Sequence, residues 1–214
     1  MRMCMCTTEC HVRFAVPHRA AVDAINARRL AMLGSEAQTY EAVDFVEAPV
    51  YQKMLAQVMA PQSLTLRIGA QVILLKNLVF ERELVNGSTG TVVAFREGSG
   101  GGSARARLPV VRFRNGEECT IDYAEWAFES GGVKVASRSQ IPLNLAWALS
   151  IHKSQGMTLT NVEMSIDKVF AEGQAYVALS RVVSLAGLGI VGGLAPLSAM
   201  RLNARVVEFY RTFS

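Results

Sequence analysis

The sequence predicts an α/β domain that is interrupted by a small β-barrel. The first observation is a strand-like run at 11–16, followed by an amphipathic helical pattern at 18–33. The second is a change, after the first third of the chain, to short β-rich runs separated by turn dipeptides. The third is the return of the α/β pattern in the last third. We therefore expect an α/β domain made of residues 1–66 and 144–214, with the barrel inserted at 67–143.

The α/β parts are predicted to alternate between helices and strands. In the first helix, apolar residues between Val22 and Leu33 recur near the helical spacing, and Gly34 ends the pattern. A polar link follows, and then a short helix around 50–59. In the last third we expect strands at 162–166 and 188–191 and helices at 173–185 and 196–212.

The middle part of the chain is predicted to form the barrel. Asn86–Gly87 and Asn115–Gly116 favour hairpins, because a type I′ turn needs positive φ at both central positions. The β-rich runs around these dipeptides lie at 70–75, 90–95, 108–113 and 118–123. Strand-sized runs at this spacing indicate a small barrel.

Composition and charge limit the class of protein. Half of the 214 residues are apolar and 19% are charged, which excludes wholesale disorder. No apolar run reaches the ~18 residues typical of a membrane span, and the first residues lack the features of a secretory signal. We therefore expect a soluble intracellular protein with no membrane partner. The net charge of +4 suits an anionic partner without requiring one.

Four cysteines raise the question of a metal site. Cys4, Cys6 and Cys10 precede His11, but their spacing matches none of the usual structural zinc pairs, and no second cluster follows. The strand predicted at His11 would also separate these side chains. We expect reduced thiols and no metal site.

Two segments carry polar groups in patterns that suggest binding chemistry. Residues 152–155 are four consecutive polar side chains, which favour a loop or a helix start facing an anion such as phosphate. A surface turn that contacts only water is the alternative. Arg181 lies near the end of a largely uncharged stretch, where its planar fork suits a carboxylate or a phosphate. A helix-terminal arginine that complements the helix dipole is equally compatible with this pattern.

Taken together, these segments resemble the late motifs of the PIF (petite integration frequency) family of superfamily-one DNA helicases. The resemblance extends along nearly the whole chain and rests on five collinear segments: 18–30, 66–78, 84–93, 145–159 and 173–181. The run Ser-Ile-His-Lys-Ser-Gln-Gly at 150–156 and the run Gly-Gln-Ala-Tyr-Val-Ala-Leu-Ser-Arg at 173–181 are highly specific. The resemblance implies a RecA-like second motor domain of the P-loop NTPase type, split by an inserted barrel of the Src-homology type.

The resemblance also implies roles for individual residues. The candidates for contact with DNA backbone phosphates are Ser150, His152, Lys153 and Ser154. Gln155 and Gly156 would lie towards the γ-phosphate of ATP. Arg181 would be the arginine finger, the catalytic group that neutralises charge on the transferring phosphoryl group.

The function implied is that of the C-terminal part of an ATP-dependent 5′-to-3′ DNA helicase, acting in DNA repair, recombination and telomere maintenance. The partners would be single-stranded DNA, ATP and an N-terminal motor domain. The sequence contains no G-x4-G-K-[S/T] phosphate loop, so ATP and Mg²⁺ would be held mainly by that other domain. We therefore expect the chain by itself to be inactive, as a fragment, a truncated gene model or a remnant. In a eukaryote we expect it in the nucleus or the mitochondrion.

Two further alternatives stay open. The chain could instead be a non-catalytic DNA- or protein-binding module derived from a helicase. The aromatic residues of the predicted barrel could stack on bases or belong to its core. They are Phe95, Phe113, Tyr123 and Trp126.

Overall fold

The computed structural model describes most of the chain. The described residues are 13–16, 19–79, 82, 84–98, 107–151, 154, 159, 161–164, 172–191 and 203–212. The chain divides into two compact units, one made of residues 1–28 and 147–214 and the other of residues 29–146. The first unit is discontinuous in sequence, as expected of a domain that is interrupted by an insertion.

The first unit is built on a parallel four-stranded sheet. Its strands are β1 (Arg13–Val16), β12 (Ala148–Ser150), β13 (Val162–Met164) and β14 (Leu188–Ile190), in the spatial order β12-β1-β13-β14. Val16 is in register with Ser150, and Val162 is in register with Leu188. β1 therefore lies between two strands that follow the second unit in the sequence.

Helices accompany this sheet. They are α1 (Arg19–Ala31), α3 (Gln174–Leu179) and α4 (Ala204–Arg211). In α1, Val22 and Asn26 are buried and Ile25 is half-buried, so the apolar stripe predicted from the sequence is present with one polar member. α3 is shorter than the predicted helix at 173–185. Within the predicted helix at 196–212, residues 196–202 lie outside the described part.

The described residues of the second unit form three antiparallel sheets. The five-stranded sheet has the order β11 (Leu143–Leu145), β5 (Gln71–Leu74), β6 (Thr89–Glu97), β7 (Arg107–Phe113) and β8 (Glu118–Thr120). The three-stranded sheet has the order β3 (Val43–Val46), β10 (Val133–Gln140) and β9 (Ala124–Ser130). β2 (Gln38–Glu41) and β4 (Ser63–Leu66) form the third sheet. A 3-10 turn at Pro49–Tyr51 leads into α2 (Gln52–Leu55), the short helix predicted around 50–59.

The structure places residues 29–66 with the β-rich unit, whereas the sequence pattern assigned them to the α/β domain. The reason is that the expected polar link contains β2 and β3, and β3 pairs with β10. Gln140 adds a buried connection: its Nε2 donates to the carbonyls of Tyr40 at 3.0 Å and Pro61 at 3.2 Å, and its Oε1 accepts from the Ile141 amide at 2.8 Å. These contacts tie the segment before β5 to the sheets after it.

A nearly buried ion pair connects the same segments. Arg138 donates from Nε and Nη2 to the two carboxylate oxygens of Asp44, both at 2.7 Å, and from Nη1 to the Ala60 carbonyl at 3.1 Å. The hydrogen bonds to Asp44 raise the pKa of the Arg138 guanidinium. The pair therefore joins β3, β10 and the loop before β4 in a fixed geometry.

The hairpin predicted at Asn115–Gly116 is present and joins β7 to β8, but its turn is not of type I′. The Gly116 amide donates to the Phe113 carbonyl, the Phe113 amide donates to the Glu117 carbonyl, and Gly116 has φ of 88°. This is the three-residue loop in which a turn is followed by a left-handed glycine. The Asn115 side chain stabilises it by accepting a hydrogen bond from the Glu117 amide at 3.1 Å.

Close approach of β6 and β7 requires glycine at position 90. A Cβ at Gly90 would lie 2.6 Å from both the Arg112 carbonyl oxygen and Val111 Cγ1. Gly90→Ala is therefore expected to lower the free energy of unfolding by about 1–3 kcal/mol, measured by chemical denaturation. Gly34→Ala is the matched control, because nothing lies within 4 Å of its Cβ position. Equal losses in the two variants would contradict the assigned β6–β7 packing.

Candidate functional site

The polar segment singled out in the sequence begins at the carboxyl end of a parallel strand. Ser150 is the last residue of β12, and its carbonyl accepts a hydrogen bond from the Ser154 amide at 3.1 Å. A hydrogen bond between residues four positions apart has the spacing of one helical turn. The carboxyl ends of parallel strands are where α/β sheets usually bind ligands. His152, Lys153, Gln155 and Gly156 lie outside the described residues.

Ser154 is fully buried, which the sequence pattern did not indicate. Its Oγ donates to the Ile151 carbonyl at 2.7 Å, so its proton is used inside the turn. Ile151 packs in an apolar cluster with Leu159, Val162, Met164 and Ala178. A direct contact of the Ser154 hydroxyl proton with a phosphate stays a prediction and would require this hydrogen bond to open.

Arg181 lies two residues after the end of α3, not inside a helix as predicted. The backbone explains the difference: the Leu159 amide donates to the Arg181 carbonyl at 2.8 Å, and the Val183 amide donates to the Leu159 carbonyl at 3.1 Å. These two hydrogen bonds hold residues 181–183 against Leu159, so the chain leaves the helix before Arg181. Leu159 also packs in one apolar cluster with Ile151, the residue that follows Ser150. Within the described residues, the hydrogen bonds of Arg181 go to residues 159, 177, 178 and 180 and not to Ser154.

The Arg181 guanidinium is half-buried and held by two neighbours. Nε donates to the Val177 carbonyl at 3.1 Å, and Nη2 donates to Ser180 Oγ at 3.0 Å. These bonds use two of the five N–H donors of the guanidinium. In the part of the chain that the structure describes, no carboxylate forms an ion pair with it. Its chemistry therefore fits an anionic group presented from outside the described residues, such as a phosphate of ATP.

Three exposed apolar side chains lie close to Arg181 in the sequence. Tyr176 is 73% exposed, Val183 is 62% exposed and Leu185 is 87% exposed. Isolated exposed apolar residues are common on protein surfaces, but a group of three around an arginine without a described carboxylate partner is typical of a contact surface.

Asn26 contacts β12 close to the polar segment, and the sequence analysis did not single it out. Its Nδ2 donates to the Ala148 carbonyl at 3.1 Å, and its Oδ1 accepts from the Ala148 amide at 2.8 Å. The available signal was an asparagine next to Ile25 in the apolar stripe of α1. A buried amide at such a position needs hydrogen-bond partners.

The aromatic residues of the β-rich unit have different environments. Phe113 is buried in the core, so the stacking interpretation is wrong for it. Tyr123 is partly exposed and packs edge-on against Tyr40, with ring centres 6.4 Å apart, and burial raises the pKa of both hydroxyls. The half-buried Trp126 ring lies 5.5 Å from Lys76 Nζ.

Neither a metal-binding cluster nor a membrane-spanning helix is present among the described residues. Among them no group of three or more histidine, cysteine, aspartate or glutamate side chains is arranged to hold a metal ion. Cys4, Cys6, Cys10 and His11 lie outside the described part. No described helix has both the length and the apolar character needed to cross a membrane.

Comparison with known proteins gives consistent matches. Residues 51–95 match the family model described as DNA helicase Pif1, 2B domain. The ATP-dependent DNA helicase PIF1 of Xenopus laevis is 45% identical over 194 residues, which cover 90% of this chain and 29% of that protein. The crystal structure of Pif1 helicase from Candida albicans superimposes with a TM-score of 0.83 and 34% identity, covering 99% of this chain and 51% of that one. Pif1 helicase from Bacteroides, in complex with ADP-AlF3 and ssDNA, gives a TM-score of 0.71 and 26% identity over 97% and 47%.

The fold is of the mixed α/β type, and the proteins that it matches are DNA helicases. The chain belongs to the PIF1 helicase family, and it corresponds to the C-terminal part of those proteins. It spans 29% of the length of the curated relative from Xenopus laevis.

Proposed function

We propose that the chain is the second motor domain and inserted barrel of an ATP-dependent 5′-to-3′ DNA helicase. In this proposal the first unit is a RecA-like motor domain and the β-rich unit is the inserted small barrel. Residues 150–154 hold the phosphates of single-stranded DNA, and Arg181 acts on ATP and Mg²⁺ held by an N-terminal motor domain. Roles in DNA repair, recombination and telomere maintenance belong to the same proposal.

One observation carries the DNA-binding part of the proposal. The segment that resembles the helicase motif begins at Ser150, at the carboxyl end of β12, and turns immediately through the Ser154–Ser150 hydrogen bond. This is the edge of a parallel sheet at which phosphate ligands are usually bound. The Bacteroides relative in complex with ADP-AlF3 and ssDNA supports both ligand classes.

The environment of Arg181 supports its proposed role in hydrolysis. Its guanidinium has N–H donors beyond the two bonds to Val177 and Ser180, and exposed Tyr176 and Leu185 lie nearby in sequence. An N-terminal motor domain that packs on these apolar residues would bring a triphosphate to the guanidinium. Hydrolysis then requires both domains, so the chain alone has no ATPase activity in this proposal.

The DNA-binding proposal is tested by titrating a labelled single-stranded oligonucleotide with the purified chain at several salt concentrations. Because binding rests on phosphate contacts, affinity is expected to fall with salt and to depend little on base sequence. Lys153→Ala is expected to weaken binding and to reduce the salt slope by about 1, since one phosphate contact is lost. Fluorescence anisotropy gives both quantities.

Arg205→Ala is the matched control. Arg205 is an exposed cation of the same unit, on α4, and the proposal gives it no contact with DNA. Its replacement is expected to leave the affinity and the salt slope close to those of the parent chain. If both variants lost affinity equally, binding would reflect overall charge, and the proposed segment would be wrong. A chain that binds a protein partner and no DNA would favour the non-catalytic module.

A further inference from the structure

Asn26 makes an unusual contact for a helix residue. It lies on α1, is 6% exposed, and hydrogen-bonds both polar backbone groups of Ala148, which is itself fully buried. Ala148 begins β12, two residues before Ser150. The amide side chain therefore fixes the backbone just before the segment that turns at the edge of the sheet.

The direction of these hydrogen bonds shows what Asn26 does to β12. The N–H and C=O of one strand residue point to the same side, and in the pairing of β12 with β1 the residue Ala148 faces Phe14. Both polar groups of Ala148 are bonded to Asn26 and so point away from β1. Asn26 thus takes the place of a neighbouring strand on that side of β12.

From this geometry we propose that Asn26 is a positioning residue for the phosphate-binding segment 150–154. It holds β12 at Ala148, so that the turn closed by the Ser154 amide and the Ser150 carbonyl starts at a fixed place and in a fixed direction. This inference rests on the proposed function, because it assigns to that segment the binding of DNA phosphates. Asn26 touches no DNA itself.

The mechanism follows from the two bonds acting together. An amide supplies one donor and one acceptor, which match the C=O and the N–H of Ala148. Without them two buried backbone groups lose their partners, and β12 shifts or rotates to regain them. A small displacement there moves the start of the turn, and with it the groups that follow Ser150.

The test uses two variants of Asn26. Asn26→Leu removes both bonds at similar volume. Asn26→Asp keeps the acceptor for the Ala148 amide, but when ionised it sets a carboxylate against the Ala148 carbonyl. Protonation of that carboxyl restores the donor, and burial favours the protonated form. Asn26→Asp is therefore expected to bind single-stranded DNA about 10-fold more weakly than the parent chain at pH 8 and nearly as well at about pH 5.5.

Two further readouts separate positioning from general destabilisation. Asn26→Leu is expected to bind about 10-fold more weakly at both pH values, with a reduced salt slope, at temperatures where circular dichroism shows it folded. Gln140→Leu is the control: it removes a buried amide with several hydrogen bonds from the other unit. It is expected to lower the unfolding midpoint and leave the DNA affinity of the folded protein unchanged.

Amide hydrogen exchange tests positioning without any DNA. Asn26→Leu is expected to speed exchange of the Ser154 amide, whose acceptor is the Ser150 carbonyl, whereas Gln140→Leu is not. Unchanged exchange in Asn26→Leu would overturn the inference, as would parent-like affinity and salt slope in both Asn26 variants. A parent chain that binds no DNA, with Ser154 exchange still accelerated, would contradict the proposed function and leave the positioning role standing.

Discussion

Replacing Arg181 by alanine in a full-length PIF1-type helicase that carries this chain is expected to lower the ATP hydrolysis rate by about 10³–10⁵-fold. The physical reason is the loss of a guanidinium that neutralises charge on the transferring phosphoryl group. Affinity for single-stranded DNA is expected to stay near that of the parent, because the proposal assigns the phosphate contacts to residues 150–154 and not to Arg181. Steady-state hydrolysis with saturating DNA, together with an anisotropy titration, measures both quantities.

Two further variants test whether the loss is specific to the guanidinium of Arg181. Arg181→Lys keeps the charge but not the planar fork, and it is expected to recover only part of the rate. Arg205→Ala removes an exposed arginine of the same unit and is expected to hydrolyse ATP like the parent. Parent-like hydrolysis by Arg181→Ala would show that the arginine finger lies elsewhere.

Replacing Asp44 by alanine is expected to lower the free energy of unfolding by about 1.5–3 kcal/mol, because the hydrogen bonds to a partly buried charged group are lost. Asp44 binds Arg138 through both carboxylate oxygens, and the two side chains are only 24% and 11% exposed. Without Asp44 the guanidinium stays nearly buried with the Ala60 carbonyl as its remaining acceptor. Urea denaturation followed by circular dichroism measures the loss.

The ion pair of Arg112 and Glu118 is the matched comparison. Its separation is also 2.7 Å, but its side chains are 61% and 41% exposed. Glu118→Ala is therefore expected to cost about 0–1 kcal/mol, because water screens an exposed pair and replaces the lost contact. Similar losses from Asp44→Ala and Glu118→Ala would mean that burial does not set the strength of these pairs.

The sequence predicted those elements whose pattern is complete within one short segment. The stripe around Val22 specified α1, and the Asn115–Gly116 dipeptide specified a hairpin. The predicted type I′ turn was wrong. The loop has three residues, and of the Asn115–Gly116 pair only Gly116 is in the left-handed conformation. The parallel strands near Val162 and Leu188 were also predicted from short apolar runs.

Strands without such a signal were missed. β3 has only four residues, and its apolar side chains Val43 and Phe45 are both exposed, so its short alternation marks no buried face. Its strand conformation comes from pairing with β10, which lies far along the chain. β9 and β10 also escaped prediction, although the hairpin between them carries Gly131 and Gly132 with positive φ.

The candidate site was likewise predicted only in part. Sequence reasoning found the polar run after Ser150 and found Arg181, but the resemblance supplied their roles. The burial of Ser154 and the exit of the chain from α3 before Arg181 depend on contacts with Ile151 and Leu159. Such contacts between distant segments cannot be read from spacing alone.

The position of β1 in its sheet has a consequence for the order of folding. Both neighbours of β1, β12 and β13, follow the entire second unit in the chain. On a ribosome, β1 must therefore wait for its partners while residues 29–146 emerge and find contacts within themselves. Closing so long a loop late costs entropy and slows completion of the parallel sheet. We therefore expect β1 to be the segment of a newly made chain that needs protection by chaperones for longest.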